Sequence, residues 1–411
     1  MNSQLQSVKN QYKLFCRFFI FKVHTREREQ KGIPKRGLPG TYIKTMTLLF
    51  VFSAVLNLFL VSQAGAFEVD THKKLTEAAI VTLESTLNTY LTENLGLEGG
   101  LNASVTGGTP RDLMKKGSIE EDEESLRRVL NHFHEPLFHT GLLWGDSAIE
   151  WSLKAIGGQS PGGDWSWNDA REYYFKALTS ETKSDRDKYW GMTFQALGHV
   201  MHLIQDMASP AHVRNDDHLS LSGFGDVDGL HDFMDGRDVF GAIGPDPSIL
   251  QQAGAVRSEP FSNLFDQNAY TGENPNATLG PQAGLAEYAN ANFFSDDTIP
   301  GARLFFPRYS YPSIDELVPV GPASVYLTLP RLGDSGSPAA RAVKFTGNQA
   351  WATYLLADRR LDLIGDLQLD NAVYDAQAQH LIPRAVGYSA AVLTYFFRNQ
   401  LAITTHVFTV L

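Results

Sequence analysis

Cysteine is almost absent from this chain. The single thiol, Cys16, lies in the N-terminal region, so the body of the protein has no disulfide and no thiolate to offer a metal. Any metal site in the body would therefore be built from nitrogen and oxygen ligands. Positive charge is scarce in the body as well. Residues 1–66 carry ten Lys/Arg and two Asp/Glu, while 67–411 hold 25 basic and 44 acidic residues, a balance of −19. That balance works against non-specific attraction to nucleic acid or an anionic membrane face, though it leaves room for a local basic site. Alternating apolar–polar runs are few, and no internal repeat is visible. The apolar stretch 385–398 is too short and too amphipathic to span a bilayer and is expected to be a core helix.

One long apolar run exists, residues 46–61. It is preceded by basic residues, the nearest being Lys44, and followed by Ser62-Gln63-Ala64-Gly65-Ala66, a small-residue cleavage signature. This pattern predicts a secretory signal peptide cut after Ala66, hence a secreted or periplasmic protein. The alternative is an uncleaved signal anchor that tethers the chain to a membrane, because the charged region ahead of it is long. Residues 1–45 look unlike a folded segment, and Met46 is a second candidate start. The expected organisation is an extension plus signal over 1–66, one domain over 67–400 and a tail over 401–411.

Within the domain the periodicity is helical. Residues 70–95 carry apolar positions at helical spacing behind an Asp/Thr cap. Ser118-Ile-Glu-Glu121 has the form of a capping box opening a helix toward His132. Residues 167–181 read as helix. Ser184-Asp-Arg-Asp187 is expected to cap a long helix ending near Ala208, before Pro210. Residues 240–345, rich in Pro, Gly, Asn and Asp, read as a loop-rich insertion. Helices follow over about 348–366 and 371–398, the second interrupted at Pro383. The expected class is all-α.

Five of the twelve histidines fall between 199 and 231. His202 and Asp206 are four residues apart and share one helix face, as do His231 and Asp235, and His212 lies between the pairs. A lone His-x3-Asp pair is usually a capping or surface pair. Two such pairs, a histidine between them, the segment His132-Phe-His-Glu-Pro136 and the acidic Glu121-Asp122 upstream together point to a metal centre. His199, one turn before His202, is expected to be packed or supporting. His134, His139 and His218 read as solvated or structural, and His380 and His406 show no partner pattern.

These fragments resemble the zinc-dependent phospholipase C and P1/S1 nuclease superfamily. His202, Asp206, His212, His231 and Asp235 match its core pattern of His-x3-Asp-x5-His followed by His-x3-Asp or His-x3-Glu. Asp122 and His132 resemble its upstream acid and its HFYDP-like segment. Phe67 and His72 take the places of the mature N-terminal residue and its neighbouring histidine if cleavage follows Ala66. Phe67 stands where that family usually has Trp, which ligation through the backbone tolerates. The resemblance implies a multi-helix fold holding three Zn2+: one by Asp122, His132, His202 and Asp206, a second by His212, His231 and Asp235, and a third by the Phe67 terminus, His72 and a bridging Asp206. The spacing from Asp122 to His132 is short for the family, so Glu121 and Glu120 stay open as alternative upstream ligands.

The implied chemistry is hydrolysis of a phosphate ester, most simply a diester, by metal-activated water, with Asp122 orienting or deprotonating that water. Asp235 in place of Glu leans toward the nuclease branch and the body charge leans away from it, so a phospholipid is the favoured substrate over nucleic acid. The aromatic residues Trp165, Trp167, Phe224, Phe293, Phe294, Phe305, Phe306, Tyr309 and Tyr311 are candidates for meeting lipid or stacking bases. A non-catalytic, zinc-stabilised surface module is the competing class. No stable protein partner is expected, and the chain is expected to be monomeric. Gly333-Asp-Ser-Gly336 resembles a serine-protease nucleophile segment, but a helical chain lacks the barrels that chemistry needs. Asp226-Val-Asp-Gly229 lacks the downstream Glu of a calcium loop. Asn102 and Asn276 are glycosylation sequons.

Overall fold

Short polar residues in front of apolar, periodic segments set the helix starts. The structure, a computed structural model, describes residues 69–123, 126–160, 162–216, 229–234, 260–272, 279–280, 283–299, 309–321, 324–333, 339–346 and 367–397. All lie in one compact unit, Val61–Leu411. Its longer elements are predominantly helical: α1 (Val69–Thr89), α2 (Pro110–Glu123), α3 (Leu126–Val129), α4 (Ala148–Ser152), α5 (Trp167–Thr179), α6 (Lys183–Asp206), α7 (Gly229–Met234), α8 (Leu285–Asn292) and α9 (Asn371–Phe397). The helix expected over 348–366 and the tail 401–411 lie outside the described residues, as do the apolar run 46–61 and Phe67. Among the described residues no helix is long and apolar enough to cross a membrane.

Three boundaries differ from expectation. Ser118 does not open a helix. It sits inside α2, where its hydroxyl donates to the Lys115 carbonyl at 2.8 Å. The start falls at Pro110, whose missing N–H costs nothing in a first turn, with Thr109 Oγ1 accepting the Asp112 N–H at 3.1 Å. Likewise Thr182, not the Ser184–Asp187 stretch, caps α6, accepting the Asp185 N–H at 3.1 Å. Pro383 does not interrupt α9, which runs through it. An interior proline costs about 3 kcal/mol, but every residue from Leu381 to Leu393 is buried, and that burial outweighs the lost hydrogen bond.

The all-α expectation also needs correction: the fold is mostly helical but includes a small antiparallel sheet. Strands β1 (Val318–Pro319), β2 (Tyr326–Leu329), β3 (Ala340–Phe345) and β4 (Leu367–Gln368) lie side by side in that order. Register pairs Val318 with Thr328, Tyr326 with Lys344, and Lys344 with Gln368. Much of this sheet occupies the end of the segment expected to be loops. Strands of two to six residues are too short to stand out as a run of alternation, yet Leu327, Leu329, Val343 and Phe345 turn into the core, where β3 meets α9.

Among the described residues, helix α6 is central to this unit. It packs on α2, α5 and α9, and Phe194, Leu197, Val200, Met201, Leu203 and Ile204 are all buried. Each such side chain contributes about 1.5–3 kcal/mol. Contact with α2 is unusually close. A Cβ on Gly117 would overlap the Gln195 carbonyl, and one on Gly198 would overlap the Met114 carbonyl. Only residues without side chains at these two points let the helices meet, and that meeting brings Asp122 against His202.

Candidate metal centre

Helix α6 ends at Asp206, presenting His202 and Asp206 on one buried face. Opposite them the last turn of α2 supplies Asp122, and the turn after α3 supplies His132. The four side chains converge. His202 Nε2 lies 3.4 Å from Asp122 Oδ1, 3.2 Å from Asp206 Oδ2 and 3.3 Å from His132 Nδ1. His132 Nδ1 is in turn 3.3 Å from Asp122 Oδ1 and 3.3 Å from Asp206 Oδ2. A tetrahedral zinc with bonds of about 2.0–2.1 Å requires ligand atoms about 3.3–3.4 Å apart. The observed separations are therefore the edges of a polyhedron of the right size for zinc, and longer than a charge-assisted hydrogen bond between imidazole and carboxylate. Both carboxylate oxygens of Asp122 and of Asp206 are buried and have no hydrogen bond among the described residues. The donor set fits zinc.

Each imidazole is aimed by the nitrogen it turns away from the cluster. His202 Nδ1–H donates to the Ser118 carbonyl at 2.7 Å, so Nε2 is the nitrogen turned to Asp122 and Asp206. His72, on α1, donates from Nδ1 to Gln205 Oε1 at 2.8 Å and turns Nε2 to Asp206 Oδ1 at 3.3 Å. Gln205 is held by its own donations to Thr76 Oγ1 at 3.0 Å and Ser389 Oγ at 3.2 Å, which tie α1, α6 and α9 together behind the site. His212 donates from Nδ1 to the His132 carbonyl at 3.0 Å and stacks on Phe133. Asp206 is thus shared: one oxygen faces His72 and the other faces His132 and His202.

Electrostatics follow the same geometry. Burial by itself would raise the Asp122 and Asp206 carboxyls, but the imidazoles around them, His202 foremost, outweigh it and hold both below the usual carboxylate range. The same carboxylates raise His202 well above its ordinary value against the opposing effect of burial. His72 goes the other way, lowered by burial and by His202.

The three upstream acids have separate surroundings. Asp122 faces the cluster. Glu121 points away, accepting from Arg128 at 2.6 Å, His199 Nδ1–H at 2.5 Å and Trp151 Nε1–H at 2.9 Å, with His132 Nε2 at 3.5 Å. Glu120 accepts from Gln195 at 2.6 Å. Of the three, then, Asp122 is the acid that could hold the metal. His199 is buried between Glu121 and the Trp165 ring, with burial lowering it to about 4, which fits the supporting role expected of it.

His231 lies on α7, Asp235 and Phe67 fall outside the described residues, and His212 stands beside the cluster with Nδ1 4.0 Å from Asp206 Oδ2. Several aromatics expected to face a substrate are core instead. Trp167 stacks on Phe261, and Phe293 and Phe294 are buried. Tyr309 covers the Arg214 guanidinium. Phe224, Phe305 and Phe306 lie outside the described residues, as does His218. The exposed apolar residues near the His132 turn are Phe138, Leu143 and Trp144, which the sequence did not single out. The roles of Gln205, Arg128 and Trp151 were also missed. Gln205 sits directly before Asp206, a signal available in principle, whereas Arg128 and Trp151 give none.

Comparison of the chain with protein-family models, with curated proteins and with solved structures yields no match.

Proposed function

We propose that this protein is a zinc-dependent phosphoesterase whose centre is built on Asp122, His132, His202 and Asp206, with His72 and His212 contributing to adjacent ions. The observation that carries this reading is the shared Asp206. A carboxylate with one oxygen toward His72 and the other toward His132 and His202 suits a bridge between two ions, and clustered ions suit phosphate esters. His231 and Asp235 complete the set by their resemblance to the phospholipase C and P1/S1 nuclease pattern.

When bound, zinc at these residues supplies Lewis acidity and brings the pKa of a coordinated water toward about 7. The chain's own part is positioning. Asp122 keeps Oδ1 on the imidazoles, and Oδ2, buried and without a hydrogen bond among the described residues, is the atom assigned to hold the attacking water's proton. The Ser118 carbonyl, Gln205 and the His132 carbonyl lock the His202, His72 and His212 rings, so little reorganisation is needed at the moment of reaction. Phosphorus–oxygen cleavage then yields an alcohol and a phosphate monoester. A phospholipid headgroup is favoured as substrate, supported by the acidic body and by exposed Phe138, Leu143 and Trp144 in the loop after the His132 turn. A single-strand nuclease or nucleotidase is the alternative.

One observation favours a second reading, a zinc-stabilised module without catalysis: the first set already offers four buried protein ligands, as structural sites do. Assay of the purified mature protein on a choline phosphodiester and on single-stranded DNA, with and without a chelator, separates these. Chelator-sensitive hydrolysis of the choline ester supports the phospholipase reading, and cleavage of DNA alone moves the assignment to the nuclease. Neither activity with zinc retained leaves the structural module.

A further inference from the structure

We propose that His134, His139 and Asp266 form an additional divalent-cation site that faces solvent and is distinct from the Asp122/His132/His202/Asp206 centre. His134 Nε2 lies 2.9 Å from Asp266 Oδ2, and His139 Nδ1 lies 3.0 Å from the same oxygen. The three ligand atoms fall within 4.8 Å of one another. Two imidazoles and one carboxylate are a ligand set for zinc and neighbouring transition metals, and three protein ligands leave positions for water. Exposure places that opening: His134 and Asp266 are buried, while the His139 side chain is 49% exposed.

The parts are fixed before any ion arrives. Asp266 Oδ1 accepts the Asn268 N–H at 2.6 Å, which turns Oδ2 to the two rings. The backbone of His134 donates to the His212 carbonyl at 3.1 Å, and a bridge between Glu135 and Thr140 closes the turn that carries His139. Both contacts to Asp266 Oδ2 are of hydrogen-bond length, so an ion here replaces the two ring hydrogens that face the carboxylate; the other ring nitrogen of His134, Nδ1, is buried without a hydrogen bond among the described residues and can take up the displaced proton. An ion at this place cross-links the 131–140 turn, which carries His132, to the segment following the short 3-10 helix Phe261–Leu264. No ligand atom is shared with the main centre.

The test uses the full chain and Zn2+ alone. Protein is equilibrated against buffered free zinc over a range of concentrations, and metal per chain is counted by elemental analysis. The informative variant is His139→Asn. His139 has φ +52°, a left-handed conformation that asparagine accepts, so the exchange removes the imidazole and keeps the backbone. Asp266→Asn is the second variant, with circular dichroism as the folding check; should it fail to fold, the half-exposed His139 carries the test. Wild type is expected to take up one equivalent of zinc more than either folded variant. Equal stoichiometry in wild type and His139→Asn overturns the proposal and leaves Asp266 as a hydrogen-bonded brace for two histidines. Because the result is a difference between chains, it stands or falls separately from the phosphoesterase assignment.

Discussion

Glu121 and Asp122 are neighbours on one helix and serve opposite sides of a histidine. Asp122 Oδ1 meets His132 Nδ1 at 3.3 Å, while Glu121 Oε1 faces His132 Nε2 at 3.5 Å. The ring is held between a carboxylate on the cluster side and another behind it. The second carboxylate is anchored by Arg128, Trp151 and His199. Such a backing carboxylate orients the ring and strengthens it as a ligand.

Substituting the two acids therefore has different consequences. Asp122→Asn removes an anionic ligand: bound zinc falls and hydrolysis drops at least about a hundredfold, while the fold survives. Glu121→Gln removes the carboxylate charge that the buried Arg128 guanidinium meets at 2.6 Å and lowers stability by about 3 kcal/mol. Urea unfolding of chelator-treated wild type and variants, in which lost zinc no longer enters the comparison, together with metal analysis of the untreated proteins reads these effects. Equal loss of stability in both would contradict the division of roles.

Gly198→Ala tests the close approach of α2 and α6. The added methyl meets the Met114 carbonyl, a backbone atom that cannot step aside, so the helices must separate. Overpacking of this kind costs about 1–3 kcal/mol. Separation also draws Asp122 from His202, so zinc affinity falls along with stability. A variant as stable as wild type but with weakened zinc binding would still support the geometry; unchanged values of both would not.

Glu135 gives a pH signature. Burial raises its carboxyl to about 7, against the pull of the Leu137 and Phe138 N–H groups it accepts. A raised acid binds its proton more tightly folded than unfolded. Its favourable contribution is therefore complete below the unfolded value of 4.5 and is lost as pH rises through about 7. The shift corresponds to about 3 kcal/mol. Glu135→Gln, which cannot ionise, should gain that much relative to wild type between pH 4.5 and pH 8, measured as the change in the stability difference across the window. A difference that stays constant with pH would remove the assignment.

Chelation should destabilise the protein as well as silence it. A ligand bound only by the folded state adds about 4 kcal/mol at a thousand times its dissociation constant. Thermal unfolding with and without chelator is expected to shift downward on metal removal, and zinc, not magnesium, should restore it, given the nitrogen-rich ligand set.

The part of this centre readable from sequence is the part that recurs at helical spacing. His202 and Asp206 announce themselves because one helix presents both, and His212 follows the proline that ends that helix. Asp122 could not be separated from Glu121 and Glu120 in the sequence, because three successive acids on a helix point in different directions and only the partner helix decides which one faces inward. The Ser118 carbonyl has no signature at all, being backbone, and Ser118 has the local form of a helix start although the helix opens at Pro110. The sheet was missed because its strands are shorter than the windows in which alternation shows. Pro383 misled because local propensity was read without the burial that surrounds it.

The most direct test is crystallography of the purified protein with diffraction data collected on both sides of the zinc absorption edge. The account predicts an anomalous peak bounded by Asp122 Oδ1, His132 Nδ1, His202 Nε2 and Asp206 Oδ2, with a further peak against Asp206 Oδ1 and His72 Nε2. Protein that binds zinc yet shows no peak among those four atoms, or that carries no zinc when purified from zinc-replete medium, contradicts it.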